Sequence, residues 1–161
     1  MPLYMQRAGF SAEDIDRQLN QASGLKGLCG TNDMREVLAR AASGDQDAGL
    51  AVDLYCYRIK KYIGAYHAAL GGADAVVFTG GVGENSPEIR ERVCDGLEAL
   101  GIRINCARNR GEIDESAQVG QAGSPVAVTV VRTNEELAIA RQAYAVVCAS
   151  GRLSAESAPE A

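Results

Sequence analysis

Apolar residues recur along the first half of the chain at helical intervals. Ile15 and Leu19 lie four residues apart behind Ser11-Ala-Glu-Asp14. There Ser11 can cap a helix, and two acids in the first turn favour the positive end of its dipole. Met34, Val37, Leu38 and Ala41 repeat the i, i+3, i+4, i+7 spacing of an amphipathic stripe, which predicts a second helix from about Asn32-Asp33 to Ser43-Gly44. Between the two, Ser23–Gly30 is rich in glycine and reads as loop. From Asp45 to about Leu70 the chain has no proline, and Leu50, Leu54, Tyr57, Ile59, Tyr62, Ile63, Tyr66 and Leu70 keep a roughly helical period. Arg58, Lys60 and Lys61 give it a wet face. At a helical rise this is one long helix of about 35 Å, which Gly71-Gly72 stops as a left-handed cap would.

The pattern then changes. Ala75-Val-Val-Phe78 and Val126–Val131 are short continuous apolar runs, the signature of strands buried on both faces. Thr79–Asn85 reads as a glycine-rich turn leading into Ser86-Pro87-Glu88, a good helix start with a Ser cap and Pro at the first position. Ile89, Val93, Leu97 and Leu100 form that helix's stripe, and Gly101 closes it. Ile102–Ile104 can form a further short strand, and Asn105–Ser124 reads as a polar loop. Thr133-Asn-Glu-Glu136 is a capping box for a last helix running to about Cys148. Ser150–Ala161, rich in Ser, Ala, Glu and Pro, is expected to be disordered. The sum is an α/β layer with too few strands for a complete doubly wound sheet, so it reads as part of a larger fold.

Composition narrows the partners. The chain has 161 residues and a net charge of -5, a mildly acidic balance that argues against nucleic acid, whose nonspecific binding rests on cations. Trp is absent and aromatics are 5%, too few for a base-stacking platform. Five cysteines with no C-x-x-C pair fit neither a disulfide framework nor a four-cysteine zinc site, which points to a reducing cytosol and a cytoplasmic protein. No apolar run reaches the ~18 residues of a membrane helix, and MPLYMQRAGF does not resemble a signal peptide.

The turn at Gly80-Gly-Val-Gly-Glu-Asn85 carries the chemistry. It follows an apolar strand and precedes a capped helix, so glycines without Cβ atoms can let a ligand approach the backbone at the carboxyl end of the strand. A valine at Gly83 is expected to fill that approach. The turn lacks the Gly-Lys-Ser/Thr of a Walker loop and the spacing of a dinucleotide fingerprint. On residue physics alone two readings stand side by side, a nucleotide cradle and a tight strand-to-helix connection.

The residues carry a resemblance. Asp74–Ser86, followed by Ile89-Arg-Glu91 and Gly96-Leu97, resembles the carboxyl-terminal signature of the acetate kinase family. Ser23-Gly-Leu25, Asp33-Met-Arg35, Tyr62–Tyr66 and Thr133–Leu137 recur in the same order and at similar spacing. The resemblance covers most of residues 10–148. It implies a partial actin-like (ribonuclease H-like) ATPase domain over residues 1–149, an α/β fold with an incomplete sheet and several helices, one of them long. The activity implied is transfer of the ATP γ-phosphoryl group to a short-chain carboxylate, giving acetyl phosphate and ADP. It places Asp33, Met34 and Arg35 beside the adenosine, and Gly81, Val82, Gly83, Glu84 and Asn85 along the nucleotide. Glu135 takes the part of the carboxylate associated with Mg2+, an assignment that suits a hard cation. Blander readings stand beside these: Asp33 as a helix cap, Arg35 as a surface charge, Glu135 as a first-turn acid favoured by the helix dipole.

The resemblance also says what is missing. The family's amino-terminal domain, with its acetate-site groups and catalytic histidine, has no matching residues here, so no catalytic residue is assigned. His67 receives no role, and the cysteines read as small core fillers. Tyr55, Tyr62 and Tyr66 read as packing or as a subunit seam, and the family's homodimers suit the latter. The competing readings are a related propionate or butyrate kinase and a non-catalytic nucleotide-binding or dimerisation fragment.

Overall fold

The computed structural model describes residues 1–149, so the expected disorder of 150–161 lies outside the described residues. The chain begins with α1 (Pro2–Arg7), an exposed turn and a half that the sequence pattern did not predict. α2 (Ala12–Gln21) starts as expected, with the Ser11 side chain accepting from the Asp14 N–H. Ser23–Gly30 is not loop. Gly24–Cys29 forms α3, which Gly30 closes in a left-handed conformation. Leu25 and Cys29 pack on the core there, and this burial offsets the low helix propensity of the glycines.

α4 (Met34–Ala42) and the 25-residue α5 (Gln46–Leu70) form the helical layer. Asp45 caps α5 through the N–H groups of Asp47 and Ala48, and its other oxygen accepts from Arg40. Arg40 also donates to the Cys29 carbonyl at 2.7 Å, so one guanidinium fastens α3, α4 and the start of α5 together. Gly71, at φ 71°, ends α5 where a residue with a Cβ would be strained.

Three strands follow: β1 (Ala75–Phe78), β2 (Ser116–Gln118) and β3 (Ala127–Val131), in the order β1-β3-β2. β1 runs parallel to β3 with Ala75 opposite Ala127, and β2 runs antiparallel to it with Ser116 opposite Val131. The two apolar runs are not buried on both faces. Phe78, Val128 and Val130 enter the core with Val52, Cys56, Ile89 and Val93, whereas Val77 is 54% exposed. Strand alternation sends successive side chains to opposite faces, so Phe78, Val128 and Val130 share the buried face while Val77 and Val131 are exposed on the other.

α6 (Gly80–Asn85) and α7 (Pro87–Cys94) lie between β1 and the 3-10 turn Glu98–Leu100. The helix expected to run to Gly101 therefore stops early, because Asp95 leaves the helical conformation and Gly96 turns left-handed. Ile89, Val93 and Leu97 are buried nonetheless. Ser86 sits at the start of α7 but makes no side-chain cap. Ile102 and Ile104 form isolated bridges to Val126 and Gly120 rather than a strand. The expected Asn105–Ser124 loop contains α8 (Cys106–Asn109) and β2. α9 (Glu135–Ala149) closes the described chain.

Candidate functional site

The Gly80–Asn85 segment is a short helix rather than an open turn, and its glycines have separate duties. Gly80 has φ 72°, the left-handed conformation that breaks strand β1 and starts α6. A Cβ on Gly83 would stand 3.3 Å from the Phe78 carbonyl carbon, so this glycine lets α6 press against the end of its own strand. The close approach that Gly83 permits in the structure is to Phe78. A Cβ on Gly81 would meet nothing within 4 Å, and Gly81 lines a cavity of about 460 Å³. Gly80, Thr133, Asn134, Glu135 and Glu136 complete its wall.

Two charged side chains hold this wall in place. The Glu84 carboxylate accepts from the Gly80 N–H at 2.8 Å, the Thr133 N–H at 2.9 Å and the Thr133 hydroxyl at 2.8 Å, all on one oxygen. These donors pull its pKa below the usual glutamate range, the Thr133 bonds most strongly. Glu84 thus bolts α6 to the turn between β3 and α9. The Thr133 capping box does not form, because Thr133 is spent on Glu84; Asn134 caps α9 instead, accepting from the Leu137 N–H.

Arg90 works from the other side. It is 1% exposed and donates to the carbonyls of Gly83 and Glu84 at 2.7 and 2.9 Å, and to the Asn109 side chain and carbonyl at 2.6 and 2.7 Å. A guanidinium fits here because its planar fork serves several acceptors at once, and the carbonyl end of a helix favours a cation. Burial lowers its pKa from the ordinary guanidinium value, yet four bonds compensate the buried charge. Arg90 lies within the Ile89-Arg-Glu91 motif, whose pattern assigns it no part. An arginine inside an otherwise apolar helix stripe is the signal that could have found it.

The remaining predicted residues divide. Val82 packs on the core, and Asn85 turns back to donate to the Gly81 carbonyl. The structure brings Gly81 and Glu135 to one cavity. Asp33, Met34 and Arg35 do not line it. Asp33 caps α4 through the Arg35 N–H and pairs with the Arg35 guanidinium at 2.7 Å. That side-chain bond is the main cause of an Asp33 pKa lowered to about 2. The Arg35 side chain is otherwise exposed, whereas Met34 lies in the core. Tyr55 also packs on the core, so the expected tyrosine row reduces to Tyr62 and Tyr66, stacked at 6.2 Å between ring centroids.

Among the described residues no cluster of three or more His, Cys, Asp or Glu is placed to hold a metal, and no helix is long and apolar enough to cross a membrane. The larger concavity, about 770 Å³ between α5 and α7, is lined by Asp53, Cys56, Lys60, Arg92, Cys94 and Arg103 among others, and by none of the predicted residues.

The acetokinase family profile matches residues 1–141. The acetate kinase of Streptomyces coelicolor is 52% identical over 147 residues, covering 91% of this chain and 36% of that protein. The acetate kinase of Syntrophobacter fumaroxidans is 48% identical over 90% of this chain and 35% of its own length. The crystal structure of Porphyromonas gingivalis acetate kinase superposes with a TM-score of 0.80 at 40% identity, over 91% of this chain and 37% of that one. A propionate kinase from Francisella tularensis does so at 0.77 and 38%, over 88% and 36%. This chain therefore spans little more than a third of the relatives it matches. The superposition agrees with the expected α/β architecture of this chain, a partial actin-like ATPase fold. The chain belongs to the acetokinase family.

Proposed function

We propose that residues 1–149 are the carboxyl-terminal part of an acetate kinase's nucleotide-binding domain, supplying the adenosine and Mg-ATP side of a site that a further lobe completes. The completed enzyme transfers the γ-phosphoryl group of ATP to acetate, giving acetyl phosphate and ADP. The observation that carries this reading is the cavity shared by Gly80-Gly81 and Asn134-Glu135, which sits where the strand β1 ends. Open α/β sheets bind ligands at the carboxyl ends of strands.

Each of the chain's own groups has a binding or orienting task. Gly81 leaves room for phosphate against the backbone. Glu84 and Arg90 fix that backbone so that it is formed before the ligand arrives, which lowers the cost of binding. Of the two carboxylates in the cavity wall, Glu135 is the one we assign to Mg2+, and a single carboxylate suits this ion, which takes its other oxygens from water and phosphate. When bound, Mg2+ neutralises charge on the phosphate oxygens. Asp33 fixes the Arg35 guanidinium, whose exposed planar face can stack on a purine. No residue of the chain is assigned to bond making or breaking.

The Francisella likeness supports propionate kinase as the second reading of the substrate. A homodimer, if formed through this chain, would use the exposed α5 face with Leu50, Leu54, Tyr57 and Tyr62. The free cysteines support a cytoplasmic location.

Calorimetry with Mg-ATP, coupled to an acetyl-phosphate assay, tests the proposal. Binding without turnover is expected, and Gly81→Val should abolish it while the fold is retained. Glu135→Gln should weaken Mg-ATP more than free ATP. Turnover by the isolated chain, or affinity indifferent to Gly81→Val, would sink the reading.

A further inference from the structure

The concavity between α5 and α7 has the size of a small-molecule site, about 770 Å³. α5 gives it one stripe, since Asp53, Cys56, Tyr57 and Lys60 follow the i, i+3, i+4, i+7 spacing of a single helix face. Cys56 and Cys94 form its floor and are buried. Burial pushes the Cys94 thiol up to about 12, so this floor carries no thiolate at neutral pH. Ile104 and the Tyr57 ring add apolar wall. The charges above the floor divide into paired and unpaired. Asp53 and Arg92 pair at 3.1 Å, and Glu91 accepts from Arg110 at 2.8 Å and from the Asn109 amide at 3.1 Å. Among the described residues, four lining charges have no ionic partner: the cations Lys60 and Arg103 and the carboxylates Asp95 and Glu98. Glu98 accepts only from the Gly96 N–H, at 3.2 Å. Lys60 is half-buried, and its ammonium lies 3.8 Å from where a Cβ on Gly96 would stand, beside the carboxyl end of α7. An ammonium set back against buried thiols without a counter-ion is costly, and a bound carboxylate would offset that cost.

We infer that the α5–α7 cavity binds a zwitterion of the α-amino acid class with an apolar side chain, its carboxylate toward Lys60 and Arg103 and its ammonium toward Asp95 and Glu98. The unpaired charges select this class. Two free carboxylates repel a polyphosphate or a dicarboxylate, and two free cations repel a metal ion or a polyamine. A molecule with one charge of each sign meets both pairs, and its apolar body meets the thiol floor. Concave walls focus such opposed charges and orient the dipole. The ion pairs of Asp53 and Glu91 keep those two carboxylates out of the contest for the ligand's ammonium. No residue lines both this cavity and the one at Gly81, so the inference stands apart from the nucleotide reading.

The test titrates the full chain with L-leucine, L-methionine and L-phenylalanine, read by calorimetry and by amide chemical shifts. We expect saturable one-to-one binding, with shifts centred on Lys60, Cys94 and Arg103. The N-acetyl form of the tightest binder lacks the ammonium and its amide form lacks the carboxylate, so each should bind at least about tenfold more weakly. Lys60→Gln should weaken the amino acid at least about tenfold while leaving the amide form unchanged. Asp95→Asn should weaken the amino acid and spare the N-acetyl form. Loss of packing alone would weaken all three forms together, so the crossed pattern separates contact with the ligand from a structural role. Absence of saturable binding by all three amino acids overturns the inference. So does an N-acetyl form that binds as tightly as its parent, which would make the cavity an anion site, and so do variants that weaken every form alike.

Discussion

The two segments that sequence reading assigned to the nucleotide are built in opposite ways. Asp33–Arg35 is local: one carboxylate caps its own helix and pairs with a side chain two residues on, both in water. Gly80–Asn85 is held from outside itself, by Thr133 on one side and on the other by Arg90, which Asn109 in turn anchors. A local device can be read from spacing and costs little to lose. A segment anchored from three elements depends on tertiary structure, and damage to its anchors should spread.

Arg90→Met should show this most strongly. It strands the carbonyls of Gly83, Glu84 and Asn109 without their donor, and we expect a loss of about 3 kcal/mol or more in urea denaturation. Comparable stability in the variant would mean that α6 does not need its anchor. The glycines come next. Gly83→Val should cost about 1–3 kcal/mol through overpacking on Phe78. Gly81→Ala should instead hold or raise stability by up to about 1 kcal/mol, since its backbone is unstrained and its Cβ meets open space. Equal effects at the two positions would erase the division of duties.

Acid sharpens the contrast further. The donors around Glu84 lower its folded pKa below the ordinary glutamate value of 4.5, so its contribution is full above that value and is lost as pH falls through the folded one. Glu84→Gln should therefore flatten the stability profile below pH 4.5. Thermal melts across that range decide it. Asp33 behaves alike but lower, losing its contribution between pH 3.8 and about 2. The smallest effect belongs to Asp33→Ala, a cap and exposed ion pair whose loss should lower Tm by only about 2–4 °C.

Much of the architecture was legible because it depends on short-range patterns. The long helix, its aspartate cap at Asp45 and its glycine stop at Gly71 follow from spacing and local hydrogen bonds. So do the starts of α2 and α4. The errors fall where two distant segments compete for one group. Thr133 is well placed to box its own helix, yet Glu84 takes both its donors, and nothing within four residues of Thr133 announces that. Ser23–Gly30 is helical because α5 lies against it, and the Asn105–Ser124 stretch gains β2 because β3 is there to pair with.

For the site, spacing identified a glycine segment after a strand and the acids at the start of the last helix. Folding decided that Gly80-Gly81 and Glu135 share a cavity, that Gly83 serves Phe78, and that Asp33–Arg35 stands outside that wall. Periodicity and capping report on hydrogen bonds closed within a few residues, so the chain alone determines them. Which buried charge holds which carbonyl, and which strand edge is left open, depends on partners many residues away, and only the assembled tertiary structure chooses among them.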